Sequence, residues 1–206
     1  MSFCVAFVHN EQVHAQWAIS LAELRARLDC SMIGVYSGSR VDHGRNVAVR
    51  GFLDDPAKGD WLLFVDTDIV FTPEDVRSLF ATAEREQSPV VGGLYFDIGG
   101  DAVARVREAD NADGGMNHRL LTDAETYGPP MAVDALGAGF LLVHREVLDH
   151  VGRDWKNTGR PWFAFSEHFG TAYSEDIEFC IRVRELGYPI WLDTAARVGH
   201  RKGATL

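Results

Sequence analysis

The run Trp61-Leu-Leu-Phe-Val-Asp66-Thr67-Asp68 carries five apolar residues straight into two carboxylates one residue apart. A short, bounded apolar run reads as a buried strand of a parallel sheet. Ligands of open α/β sheets collect at the carboxyl ends of such strands. If extension continues past the strand, a period of two sets Asp66 and Asp68 on one side. Two ionised carboxylates at close range repel, and burial sharpens the conflict. A divalent cation with hard oxygen ligands relieves it. The chemistry on offer is a metal–diphosphate site, although two solvated aspartates at a strand end would carry the same residues. A second acidic group, Ser174-Glu175-Asp176, stands where a helix is expected to begin. Acids there complement the helix dipole, or they supply a general base or a stabiliser of positive charge. His200, after Gly199, offers an imidazole. Carboxylates with an imidazole suit manganese better than calcium or magnesium.

Three weaker signals accompany these. Arg45-Asn46 opens an expected helix, where a guanidinium can meet a phosphate beside the positive helix end or simply face solvent. Gly137-Ala138-Gly139 joins two apolar segments, so backbone can approach a ligand closely or form a bulge there. Trp162 and Phe163 can stack on a sugar ring or fill a core.

The elements that must hold these residues follow from pattern. Strands are expected at Phe3 to Val8, Ser31 to Tyr36, the Trp61 run and Val90 to Phe96, with a polar loop at His9-Asn10-Glu11. Helices are expected from Ala15 to Leu28, from Arg45 to Leu53, and from Thr72-Pro73 to about Glu86, the last with a capping threonine and a proline at its first position. Alternating strand and helix imply a doubly wound, mostly parallel sheet. Asp97 to Pro130 reads as a mobile excursion with one or two short strands near Val103 to Val106. Strands return at Met131 to Leu136 and Gly139 to Val143, then a short helix from His144 to Val151, a helix capped by Ser174 and stopped by Gly187, and a strand from Pro189 to Leu192.

Composition bounds the rest. With 206 residues, 46% of them apolar, the chain suits one domain with a full core. A net charge of −10 argues against a nucleic-acid scaffold, which needs a basic face. Cys4, Cys30 and Cys180 form neither a disulfide framework nor zinc spacing, so reduced thiols and a cytoplasmic setting are expected. Neither a signal sequence nor a membrane-spanning apolar run is apparent.

In this order, Arg45-Asn46, Asp66-Thr67-Asp68, Gly137-Ala138-Gly139-Phe140, Pro161-Trp162-Phe163, Ser174-Glu175-Asp176, Gly187-Tyr188-Pro189-Ile190 and the closing Gly199-His200 resemble the GT-A glycosyltransferases, close to the family 2-like members of bacteria and phages. The resemblance covers Phe3 to His200. It implies an α/β GT-A fold in one domain, with a nucleotide-binding half at 1–96 and an acceptor and catalytic half at 97–206. It further implies transfer of a sugar from a nucleotide-diphosphate donor, a UDP- or GDP-sugar, to an unknown hydroxyl acceptor, with Mn2+ or Mg2+ as cofactor. By match, Asp66, Asp68 and His200 hold the metal, with Asp66 near the ribose. His9 and Asn10 line the base, Arg45 helps hold the nucleotide or order the strand end, and Thr67 belongs to the donor site. Gly139 and Trp162 border sugar and acceptor, and Asp176, with Glu175 beside it, takes the place of the base in inverting relatives. The excursion at 97–130 matches no named pattern. Two rival readings are a haloacid-dehalogenase-like phosphatase, with Asp66 as nucleophile and Asp68 as general acid, and a nucleotide-sugar-binding module without turnover.

Overall fold

The computed structural model describes residues 2–110, 116–168 and 171–201. In chain order its first half comprises β1 (Phe3–His9), α1 (Ala15–Arg27), β2 (Ser31–Tyr36), α2 (Val41–Leu53), β3 (Trp61–Val65), β4 (Ile69–Val70), α3 (Pro73–Thr82) and β5 (Val90–Leu94). The second half holds β6 (Ala104–Asp110), β7 (Met116–Arg119), α4 (Asp123–Thr126), β8 (Met131–Val133), β9 (Ala135–Leu136), β10 (Phe140–His144) and α5 (Arg145–Thr158). It closes with β11 (Ser166–His168), β12 (Thr171–Tyr173), α6 (Glu175–Glu185), β13 (Ile190–Arg197) and β14 (Gly199–His200).

Seven strands form the central sheet in the order β2-β1-β3-β10-β5-β13-β8. β1 pairs parallel with β2 and β3, and β5 parallel with β13, whereas β10 runs antiparallel between β3 and β5. Five of the seven strands run one way, so the sheet is mostly parallel, as expected, with β10 reversed in its middle and β8 reversed at its edge. The β10 reversal matters for the site. Phe140 pairs with Val65, so the start of β10 lies against the end of β3, and the Asp66 amide donates to the Gly139 carbonyl at 2.9 Å.

Alternation along the strands feeds two apolar layers. Cys4, Ala6, Leu62, Phe64, Leu141 and Val143 face α2, α5 and α6, while Phe3, Val5, Leu63, Val65, Phe140 and Leu142 face α1 and α3. Each fully buried leucine or phenylalanine contributes about 1.5–3 kcal/mol relative to exposure. The three cysteines are buried and unpaired. Among the described residues no helix is long and apolar enough to cross a membrane.

Several boundaries differ from expectation. α2 starts at Val41, so Arg45 lies inside the helix and not at its positive end. Gly44 makes this possible, because a Cβ there would come within 2.5 Å of Val8 Cγ1 on β1. α3 carries the expected Thr72 cap and Pro73, with Asp75 completing a capping box, but stops at Thr82, where Ala83 turns extended. α5 continues past Val151 to Thr158 and ends on Gly159 in the left-handed region. The short strand expected near Val103 to Val106 is present as β6. β6 pairs with β7 and β9, and α4 carries its own capping box from Thr122 and Glu125. Residues 111–115 lie outside the described residues.

β13 runs on to Arg197 through a register shift after Asp193. The buried Asp193 carboxylate stabilises that bulge, accepting from the Ala195 amide at 2.9 Å and the Ala196 amide at 3.3 Å, and from the hydroxyls of Ser78 and Thr82 on α3. Beyond it the chain crosses to pair β14 antiparallel with β4, setting His200 opposite Ile69.

Candidate active site

The expected extension beyond β3 does not occur. The Ile69 amide donates to the Asp66 carbonyl at 3.0 Å, so Asp66-Thr67-Asp68 is a tight turn. The two carboxylates consequently part. Asp66 turns toward Arg45, whose Nη2 donates to both of its oxygens at 2.8 and 3.0 Å. Asp68 turns toward the tail, with its Oδ2 3.3 Å from His200 Nε2. The Arg201 amide donates to the Asp68 carbonyl at 2.7 Å and fixes the crossing.

Arg45 is 3% exposed and bridges two elements, since its other terminal nitrogen donates to Glu175 at the start of α6. Burial works against its charge, but Asp66, Glu175 and Asp176 outweigh burial and hold the guanidinium more firmly protonated than a free arginine. Burial raises the Glu175 carboxyl against the pull of Arg45. Glu175 is thus a buried internal partner of Arg45.

Asp176 is only half-buried. Its Oδ1 accepts from the Ile177 amide at 2.9 Å and from the Ser174 hydroxyl, and its Oδ2 from the Ala138 amide at 3.4 Å. Ser174 holds the cap position but spends its hydroxyl on Asp176 rather than on a backbone amide.

Tyr95, at the end of β5, is a residue that sequence reasoning missed. Its hydroxyl oxygen accepts the Gly139 amide at 3.0 Å, and its ring meets the His200 ring edge to face at 5.4 Å. Burial, then Asp66 and Asp176, push its hydroxyl far above the ordinary range and keep it protonated. Tyr95 also explains the glycines beside it. A Cβ at Gly137 would lie 2.2 Å from the Tyr95 oxygen and 2.5 Å from Val103 Cγ1. Gly137→Ala should therefore lower stability by about 1–3 kcal/mol through overpacking. Adding Tyr95→Phe should recover part of the loss, a non-additivity that urea unfolding of the single and double variants would register. An alanine variant as stable as the parent would show that the loop moves aside freely.

His9, Asn10, Gly38 and Val41 join Asp66, Thr67 and Asp68 around a cleft of about 230 Å3. The cleft opens where β1 and β3 end, and the Thr67 carbonyl accepts the His14 amide at 3.2 Å on its edge. Trp162 is not brought there. It is buried against α5, donating Nε1–H to the Leu148 carbonyl at 2.7 Å and meeting Trp155 edge to face. Its expected place beside the sugar is a correction, and core packing is the physical reason.

The donor set fits a cation in one respect and departs from expectation in another. The Phe96 carbonyl lies 2.9 Å from His200 Nδ1 and can only accept, so Nδ1 carries the proton and Nε2 presents its lone pair to Asp68 when the ring is neutral. A backbone carbonyl on the far nitrogen is the usual support of a metal-bound histidine. Burial, then the Asp66 charge, push the Asp68 carboxyl up, while His200 pulls it down. A lone pair and a carboxylate face to face need a proton or a cation between them. However, Asp66 is occupied by Arg45, and among the described residues no three His, Cys, Asp or Glu side chains form a metal-holding group. That leaves Asp68 and His200 as the two side chains of the expected set that could hold a cation, and magnesium and manganese are the ions that take few carboxylates plus substrate phosphates.

The family model for glycosyl transferase family 2 matches residues 43–152, just over half of the chain. The fold is similar to the crystal structure of A197 from STIV, with a TM-score of 0.57 and 18% identity over 97% of this chain and 81% of that one. It is also similar to GalNAc-T7 crystallised with UDP, GalNAc and Mn2+, with a TM-score of 0.60 and 12% identity. That alignment covers 97% of this chain and 44% of GalNAc-T7, so the chain spans less than half the length of that relative. No curated protein sequence matches the chain.

Proposed function

The chain belongs to glycosyl transferase family 2 and is a glycosyltransferase of GT-A fold, and from that premise we propose that it is metal-dependent and moves a sugar from a UDP- or GDP-sugar to a hydroxyl acceptor with inversion. The observation that carries the reading is the tail crossing that sets His200 Nε2 3.3 Å from Asp68 Oδ2, beside the cleft lined by His9 and Asn10. The fold similarity to a protein crystallised with UDP and Mn2+ supports it.

In this reading His9, Asn10 and Thr67 line the nucleotide. Asp66, held rigid by Arg45, accepts from the ribose. Asp68 and His200 hold manganese or magnesium, which when bound offsets the charge of the departing diphosphate. Asp176 accepts the acceptor hydroxyl proton as the acceptor oxygen bonds to the anomeric carbon and the bond to the phosphate oxygen breaks. The Ala138 and Ile177 amides keep its carboxylate aimed. Gly139, packed without a side chain against Tyr95 and Asp66, borders the sugar. The phosphatase reading, with Asp66 as nucleophile, has no support in the family match, and both Asp66 oxygens are engaged by Arg45.

The test is release of free nucleotide from a panel of UDP- and GDP-sugars with manganese. Release from one donor, abolished by chelator, is expected. Manganese-dependent binding of a donor with no release of nucleotide under any condition would mark a binding module instead.

A further inference from the structure

We infer that Arg197, seated between Phe96 and Tyr127, is the core of an acceptor subsite that takes a saccharide bearing an anionic group, a carboxylate or a phosphate. The inference rests on the transferase reading above and adds a substrate class to it. The Arg197 guanidinium carbon lies 4.9 Å from the Phe96 ring centroid and 4.7 Å from that of Tyr127. One terminal nitrogen donates to the Thr126 carbonyl at 3.2 Å. Among the described residues no carboxylate pairs with it, in a chain whose 30 acids outnumber its 20 lysines and arginines. This exposed guanidinium is set against two rings and bonded to one carbonyl, which leaves it donors to spare for a carboxylate or phosphate. Tyr127 is 78% exposed, so its ring offers a surface to a sugar.

Its place points to the acceptor and not the donor. The Phe96 residue whose ring underlies Arg197 also gives the carbonyl that orients His200. Arg197 ends β13, which lies three strands from β3 across β10 and β5. At about 4.8 Å per strand this is roughly 14 Å from the aspartate turn. The nucleotide cleft lies on the opposite flank, against β1. Asp176, set by the Ala138 amide ahead of β10, belongs to the ground between the two.

The experiment follows Arg197 side-chain and Tyr127 ring resonances by NMR, with the protein saturated by manganese-free magnesium and whichever of UDP or GDP binds. Glucose, glucuronate and glucose 6-phosphate are then titrated in turn. Saturable shifts at Arg197 and Tyr127 with glucuronate or glucose 6-phosphate, absent with glucose and lost in Arg197→Gln, are expected, and the stronger anion names the group. No shift with either anion, or equal shifts with neutral glucose, overturns the inference. Shifts of His9 and Asn10 on nucleotide addition report the underlying reading in the same sample. If those are present while Arg197 stays silent, only the acceptor inference fails. If those are absent as well, both readings fail.

Discussion

Replacing Arg45 with methionine should destabilise the protein by about 3–5 kcal/mol, because removal of one partner from a buried ion pair strands the other. Here two carboxylates are stranded. Glu175 has a side chain only 8% exposed, and Asp66 loses both hydrogen bonds from Nη2. The loss should carry a pH signature. Burial already raises the Glu175 carboxyl, and without Arg45 only a hydrogen bond from its own backbone amide opposes it. A carboxyl whose folded pKa exceeds its unfolded one binds its proton more tightly in the folded state, so its cost is absent at low pH and appears as pH rises through the folded pKa. The deficit of Arg45→Met relative to the parent should therefore shrink on acidification, and Glu175→Gln added to it should recover part of the loss. Urea unfolding at several pH values measures both. Arg45→Lys provides a milder variant, which keeps the charge and forfeits the fork that reaches two acids at once. A deficit under about 1 kcal/mol in Arg45→Met, independent of pH, would remove the bridge from the account.

Asp176→Asn should cost transfer about 10²–10⁴-fold while leaving nucleotide binding in place, the range expected on loss of a general base. The asparagine oxygen can still accept from the Ile177 amide, so the start of α6 should persist. Nucleotide affinity by calorimetry and transfer by product formation separate the two effects. Transfer at the parent rate would show that another group takes the proton. Equal loss of affinity and transfer would make Asp176 a binding residue.

The sheet and most helices were legible because periodicity reports burial directly. Leu62, Leu63, Phe64 and Val65 could only be a buried strand, and Thr72-Pro73-Glu74-Asp75 spelled a helix start that the structure reproduces. Direction was not legible, since a strand buried on both faces reads alike either way, and β10 is such a strand. That hidden reversal is what brings Gly139 to Asp66. The start of α2 was missed because Arg40 makes no side-chain cap bond, so no capping residue announced it. The hairpin of β11 and β12 was not among the expected strands.

The candidate site was legible as residue types but not as pairings. Asp66 and Asp68 read as a couple, yet a turn sends one to Arg45 and the other to His200. Arg45 and Glu175 lie 130 residues apart, beyond any spacing rule. Tyr95 hid among strand residues, and its crowding against Gly137 gives a packing reason for a glycine that the sequence left open between a ligand and a bulge. Trp162 shows the opposite failure, an aromatic that suited a sugar and belongs to the core.

The central claim is that Asp68, faced by His200, holds the cation that binds the nucleotide diphosphate. Calorimetric titration of UDP and GDP into the parent and Asp68→Asn, each with manganese and with chelator, tests it most directly. The parent should bind one nucleotide with manganese and lose that affinity in chelator. Asp68→Asn should lose at least about tenfold of the manganese-dependent affinity, about 1.4 kcal/mol, with an unchanged unfolding curve. Full manganese-dependent binding in Asp68→Asn would contradict the claim and move the cation elsewhere.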